Sequence, residues 1–237
     1  MMTKQKIKID IVSDVNCPWC YVGEQRLNKA MGEANESYDF DISFRPYELN
    51  ANIPQEGVDR LEYFKKAYGP NIVSQIDAMN QRLKDAGSPE GIEFNFDKLT
   101  TVNNTFKGHR LIWLAGELGV QEAVAHALFY NYFTEGKNMN DTAVLTEIGM
   151  ANGIPAERLE GFFEGEEGKK EVREMEQWAQ ASGITGVPAF IINDKYLVSG
   201  AQPADTFHQV FAQVAPLTPT FEEIAAEGQS CSVDGIC

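Results

Sequence analysis

Hydrophobic spacing changes period several times along this chain, and each change marks an element. From Lys6 to Asp14 apolar and polar residues alternate, with Ile7, Ile9 and Ile11 on one side and Lys8 and Asp10 on the other, which predicts a strand. From Cys17 to about Glu33 the spacing turns helical: Tyr21, Leu27 and Met31 supply apolar contacts, and Gly32 lies near the expected end. Asp39 to Arg45 alternates again and runs into Pro46. Strand, helix and strand within about forty residues make up a right-handed crossover unit.

After Glu48 the helical period persists through a long middle segment. Ile72, Ile76, Met79 and Leu83 form a one-sided stripe. Asn103, Asn104 and Thr105 offer caps for a helix carrying Phe106, Leu111, Leu114 and Leu118. Val124, Leu128, Phe129, Tyr132 and Phe133 give a broad apolar face, and Asp141 can cap a helix with Val144, Leu145 and Ile148. Leu159, Phe162 and Phe163, then Val172, Met175 and Ala179, complete the helical block before Gly183. Strand patterning returns in Pro188–Ile192 and Tyr196–Val198, joined through Asn193, Asp194 and Lys195 as a hairpin. Phe207, Val210, Phe211 and Val214 then line a last helix, opened by Pro203 and ended by Pro216 and Pro219.

A βαβ half and a ββα half can share one mixed sheet only if the helices between them are an insertion. That order predicts an α/β thioredoxin fold with a large inserted all-helical domain. The corresponding divisions are 1–50 and 183–216 for the two thioredoxin-like parts, 51–182 for the insertion, and 217–237 for a C-terminal tail.

The first strand–helix junction carries Cys17-Pro18-Trp19-Cys20. A sulfur at the start of a helix lies over unsatisfied backbone amides and the positive end of the helix dipole, which favours thiolate over thiol. Cys17 is then suited to attack a disulfide, and Cys20, one turn on, to release the mixed disulfide by closing the ring. Pro18 pre-forms the first turn, and Trp19 is expected exposed between the sulfurs. Half of a zinc knuckle has the same spacing, and its other ligands would have to come from Cys231, Cys237 and the scattered His109, His126 and His208, so spacing alone does not dismiss it. Within a βαβ unit the pair reads as redox chemistry, with no metal.

Other stretches bear on that pair. Val187 and Pro188 precede the third strand, where a thioredoxin-like sheet would set a cis-proline beside Cys17 and let the Val187 backbone hold a substrate strand. Cys231 and Cys237 lie in the tail with Gly235 between them; a second redox pair, an inert tail and adventitious metal binding all fit. Asn104, Thr105 and His109 either line a cleft above Cys17 or belong to a helix cap followed by a solvated His109–Arg110 pair, and the second reading is the simpler. Asp14 is either a buried proton acceptor for Cys20 or a cap for the following helix.

Composition narrows the setting. Of 237 residues 43% are hydrophobic, 14 of them Phe, enough for a sizeable core. A net charge of -15 repels phosphate backbones and anionic lipid, so nucleic acid and membrane surfaces are not expected partners. The N-terminal lysines precede no long apolar run, and no stretch approaches the ~18 apolar residues of a membrane span, so a cytoplasmic location is expected. Four cysteines are too few to staple a chain of this length.

Taken in order, Ser-Asp-x-x-Cys-Pro-Trp-Cys-Tyr-x-Gly (13–23), Asn-Thr-x-x-x-His-Arg (104–110), Gly-Ile-x-Gly-Val-Pro (183–188) and Ser-Gly-Ala-Gln (199–202) resemble the FrnE-like branch of the DsbA family. The resemblance spans essentially the whole chain. It implies dithiol–disulfide oxidoreductase or isomerase activity, Cys17 as nucleophile, Cys20 as resolving cysteine, a cis bond at Pro188, and no cofactor beyond glutathione as a redox partner. Members of this branch can also carry a C-terminal cysteine pair, matching Cys231 and Cys237. Expected partners are protein or small-molecule disulfides and thiols, for a monomer or homodimer. The same superfamily holds glutathione-dependent isomerases and kappa-type glutathione transferases, which generally have serine at the Cys17 position; that alternative stays open for a small aromatic substrate. An export signal of the kind typical of periplasmic DsbA proteins is not expected, nor is a role as bulk oxidant of secreted proteins.

Overall fold

The computed structural model describes residues 4–214. β1 (Gln5–Ser13), α1 (Pro18–Ala34) and β2 (Tyr38–Pro46) form the crossover unit. β3 (Val58–Asp59), α2 (Arg60–Tyr68), α3 (Ile76–Gly87) and β4 (Thr101–Val102) follow, with short 3-10 turns among them. Then come α4 (Phe106–Glu117), α5 (Gln121–Phe133), α6 (Thr142–Ala151), α7 (Ala156–Leu159) and α8 (Lys169–Ala181). β5 (Ala189–Ile192), β6 (Tyr196–Ser199) and α9 (Ala204–Val214) return the chain to the sheet. The sheet order is β2-β1-β5-β6, with β1 parallel to β2 and β5 antiparallel to both β1 and β6. This is the predicted mixed sheet of a thioredoxin fold, with the long helical segment running between β2 and β5.

Alternation on β1 divides its residues between two cores. Ile7, Ile9 and Ile11 join the main core, which also takes in Leu27 of α1 and Phe207 and Phe211 of α9. Val12 instead meets Ala179, Ile184 and Ala189 in a smaller cluster on the α8 side. The main core continues without a break into the helical segment through Leu111, Leu128, Phe133 and Ile148. Tyr21 of α1 stacks on Phe129 of α5 at 5.5 Å between ring centroids, so the inserted helices grip α1 directly.

Two features of the helical segment depart from the periodic reading. The Ile72–Leu83 stripe is broken: Ile72 lies in a 3-10 turn (Pro70–Gln75), and α3 begins only at Ile76. β3 and β4 pair as an antiparallel ladder of two residues each, Val58 with Val102 and Asp59 with Thr101. Strands this short carry no detectable alternation. Asp141 caps α6 as expected, accepting from the Ala143 N–H at 2.8 Å. The prolines expected to end α9, Pro216 and Pro219, lie outside the described residues, as do Cys231 and Cys237.

Candidate active site

Register brings the site together. The end of β1 pairs with the start of β5, Val12 opposite Ala189, so the segments just beyond them, residues 14–17 and 187–188, leave the sheet at the same edge. Cys17 is the N-cap of α1 and Pro18 its first residue. The Val187–Pro188 bond is cis, and Cys17 Sγ lies 3.7 Å from the Val187 carbonyl oxygen. Backbone hydrogen bonds wind the turn: the Cys17 N–H donates to the Asp14 carbonyl at 2.9 Å, and the Cys20 N–H to the Cys17 carbonyl at 3.0 Å. Both cysteines are free thiols and buried, whereas Trp19 between them is 41% exposed. Burial pushes the Cys20 thiol well above its ordinary range; Cys17 adds to this, and a hydrogen bond from the Asp14 backbone opposes it.

Gly23 explains how α1 comes so close to β5. A Cβ on Gly23 would stand 3.0 Å from both Phe190 Cζ and Pro188 Cγ, nearer than carbon atoms normally pack. Gly23 is one turn beyond Cys20, so the absent side chain lets the cysteine-bearing helix rest against the cis-proline. Ser199–Gln202 anchors the opposite side: the Gly200 N–H donates to the Pro188 carbonyl at 2.8 Å, and Arg26 Nη1 of α1 donates to the Ala201 carbonyl at 2.7 Å.

Under this turn lies a buried polar layer. Asp14 does not cap α1 with its side chain. Its Oδ1 accepts from the Asn16 N–H at 3.2 Å and its Oδ2 from the Leu49 N–H at 2.7 Å, which ties the segment after β2 to the active-site loop. Asn16 Nδ2 donates to the Asn103 carbonyl at 2.5 Å.

The Asn104–Arg110 segment corrects the sequence reading twice. His109 and Arg110 are not solvated; they are 2% and 1% exposed. Nor do Asn104, Thr105 and His109 line an open cleft. Thr105 is buried, and Asn104 spends its polar groups internally, accepting from the Phe106 N–H at 3.1 Å and donating to the Ile53 carbonyl at 2.7 Å. Arg110 lies over the Phe162 ring and donates to four carbonyls, those of Phe162, Phe163, Gly165 and Glu167. A usable signal was present: Arg110 falls four residues after Phe106 and four before Leu114, on the helix's apolar stripe.

Among the described residues no group of three or more His, Cys, Asp or Glu side chains is arranged to hold a metal ion, and no helix is long and apolar enough to cross a membrane.

Residues 8–212 match the DSBA-like thioredoxin domain family. The chain belongs to that family. It is 25% identical over 207 residues to the uncharacterized protein YwbO of Bacillus subtilis (strain 168), covering 87% of this chain and 96% of YwbO. The crystal structure of the probable DsbA oxidoreductase SCO1869 from Streptomyces coelicolor superposes with a TM-score of 0.82 at 30% identity, covering 97% of each chain. The cytosolic disulfide reductase DsbM from Pseudomonas aeruginosa, solved with GSH, shares the fold with a TM-score of 0.61 at 18% identity, covering 87% of this chain and 98% of that one.

Proposed function

We propose that this DsbA-family chain is a thiol–disulfide oxidoreductase of the FrnE-like branch, exchanging disulfides through Cys17 and Cys20. One observation carries the reading: Cys17 stands at the N-cap of α1, 3.7 Å from the Val187 carbonyl of a cis Val187–Pro188 pair, with Cys20 one turn behind it and more deeply buried. Cys17 attacks one sulfur of a substrate disulfide, and the other substrate sulfur leaves as a thiolate. Cys20 then gives up its proton and attacks Cys17 Sγ; the second substrate sulfur leaves, and the Cys17–Cys20 disulfide closes. Two electrons pass from the protein dithiol to the substrate. The reverse sequence oxidises a dithiol.

Val187 and Pro188 position the substrate chain by main-chain contact, Pro18 fixes the turn, and the exposed Trp19 flanks the sulfurs. The substrates are protein or small-molecule disulfides, the setting is the cytoplasm, and glutathione serves as redox partner. A structural relative solved with GSH and named as cytosolic supports the last two points. Cys20→Ser is expected to retain substrate as a mixed disulfide on Cys17, released by dithiothreitol; Cys17→Ser is expected to retain none. Equal retention by the two variants overturns the assignment of roles.

A further inference from the structure

We infer that His109 relays the proton lost by Cys20, taking it from Asp14 and passing it through a buried void toward a groove at the β2 edge. The inference rests on the reading of Cys20 as the resolving cysteine. Cys20 is 1% exposed and lacks direct access to bulk water, yet its thiol must lose a proton before it can attack Cys17 Sγ. Asp14 belongs to the same turn, its carbonyl accepting from the Cys17 N–H at 2.9 Å and the Cys17 carbonyl from the Cys20 N–H at 3.0 Å, and its charge acts on the Cys20 thiol. Asp14 is itself 1% exposed, so it can accept the proton but not deliver it to solvent.

His109 stands on the far side of Asp14, with Nε2 3.6 Å from Asp14 Oδ1. That exceeds a hydrogen bond, and a small imidazole movement closes it to one. Nε2 is fully buried and has no hydrogen-bond partner in the described structure. An orphaned buried ring nitrogen is costly to keep, and structural histidines normally satisfy theirs. Here it faces a carboxylate instead of a fixed donor or acceptor, which suits a group that exchanges a proton.

His109 also lines a void of about 10 Å³ with Ser13 and Ile112, close to the least volume that holds one water. The walls continue outward. Phe44, Arg45, Trp113 and Met175 border both this void and the groove of about 780 Å³ along β2. Other titratable groups face this region: Arg45 lines the void and pairs with Asp10, Glu176 on α8 interacts with His109, and Tyr132 on α5 senses Asp14. Arg173 is paired with both Glu48 and Glu176. Asp14 keeps its backbone donors from Asn16 and Leu49, while His109 faces it with a ring nitrogen that has no partner among the described residues.

The test uses the full chain with Cys231→Ser and Cys237→Ser, treated with an aryl disulfide whose released thiolate is coloured. Cys17 attack releases one thiolate, and Cys20 attack on the resulting mixed disulfide releases a second, so stopped-flow absorbance separates the two steps. His109→Gln is expected to slow the second release at least about tenfold, a floor beneath the roughly 10²–10⁴-fold that a positioned acid–base group contributes, and to change its pH profile. The first release should stay within about twofold, since the variant leaves Cys17 untouched. Asp14→Asn should slow the second step similarly, and the double variant should be no slower than the slower single one. Ile112→Phe, which fills the void while keeping both relay residues, should also slow the second release and serves if His109→Gln does not fold. A second release unchanged in these variants overturns the relay. Absence of any second release from the parent chain overturns the dithiol reading itself, and the relay with it.

Discussion

Replacing Arg110 by lysine keeps the charge and most of the length, yet should be among the most damaging single changes in this chain. Arg110 is 1% exposed, and its side-chain hydrogen bonds among the described residues all go to backbone carbonyls. Its donors are spread over the carbonyls of Phe162, Phe163, Gly165 and Glu167 at 2.6–3.1 Å. Burial pulls its pKa down from the ordinary arginine value, and the nearby Glu164, Glu166 and Glu167 charges act against that. A lysine offers three donors on one nitrogen and cannot span a fork of carbonyls. Two or more carbonyls lose their partner at about 1–3 kcal/mol each, and a buried ammonium remains poorly solvated. A loss of about 3–5 kcal/mol follows, against a total stability of about 5–15 kcal/mol for a typical domain. In urea, with a slope of about 3 kcal/mol/M for a chain of this size, the midpoint should fall by about 1–1.5 M with the slope preserved. A midpoint shift below about 0.3 M at equal slope would refute this accounting. It would mean that the residue 162–167 segment finds other donors.

Gly23→Ala sets two effects in opposition: alanine favours helix by up to about 1 kcal/mol, while overpacking against Phe190 and Pro188 costs about 1–3 kcal/mol. Net destabilisation together with slower disulfide exchange is expected; a stabilised and fully active variant would show that α1 need not sit so close to Pro188. Burial of Cys20 predicts that brief iodoacetamide treatment of native protein at neutral pH modifies Cys17 and spares Cys20, read by peptide mass; equal labelling of both would contradict it. His126 is held above its ordinary value of 6.5 by its hydrogen bond to the buried Glu24, with desolvation opposing. Because the folded value is raised, this stabilisation is complete below the unfolded value and fades as pH rises through the folded one. With His126 half-exposed, the effect should be a few tenths of a kcal/mol. Thermal melts above about pH 6.5 should show it, and Glu24→Gln should remove that slope; an unchanged slope in the variant assigns it elsewhere.

The fold was legible because its elements announce themselves one by one. Ile7, Ile9 and Ile11 mark β1, the Phe207–Val214 stripe marks α9, and the order of strands and helices leaves one sheet arrangement. The cysteine turn was legible because Cys17 and Cys20 are chemically unlike their surroundings and sit at a strand–helix boundary. What stayed hidden depends on distant partners. His109 and Arg110 read as solvated because histidine and arginine usually are, and the carbonyls that make Arg110 a core residue lie more than fifty positions away. Arg173 and Glu176 are neighbours at i,i+3 on α8, but Glu48, which Arg173 also pairs with, lies 125 positions away, and no local pattern brings it in. Gly23 looked like an ordinary helical glycine until β5 was packed against it.

The account stands most directly on the reversible joining of Cys17 and Cys20. The protein is equilibrated across a series of glutathione buffers, acid-quenched, and examined by peptide mass for a Cys17–Cys20 link. A single two-electron transition is predicted, in which the ratio of oxidised to reduced protein changes tenfold for about every 30 mV. Persistence of both thiols across the whole series, or accumulation of a Cys17–glutathione adduct that Cys20 never resolves, would contradict it.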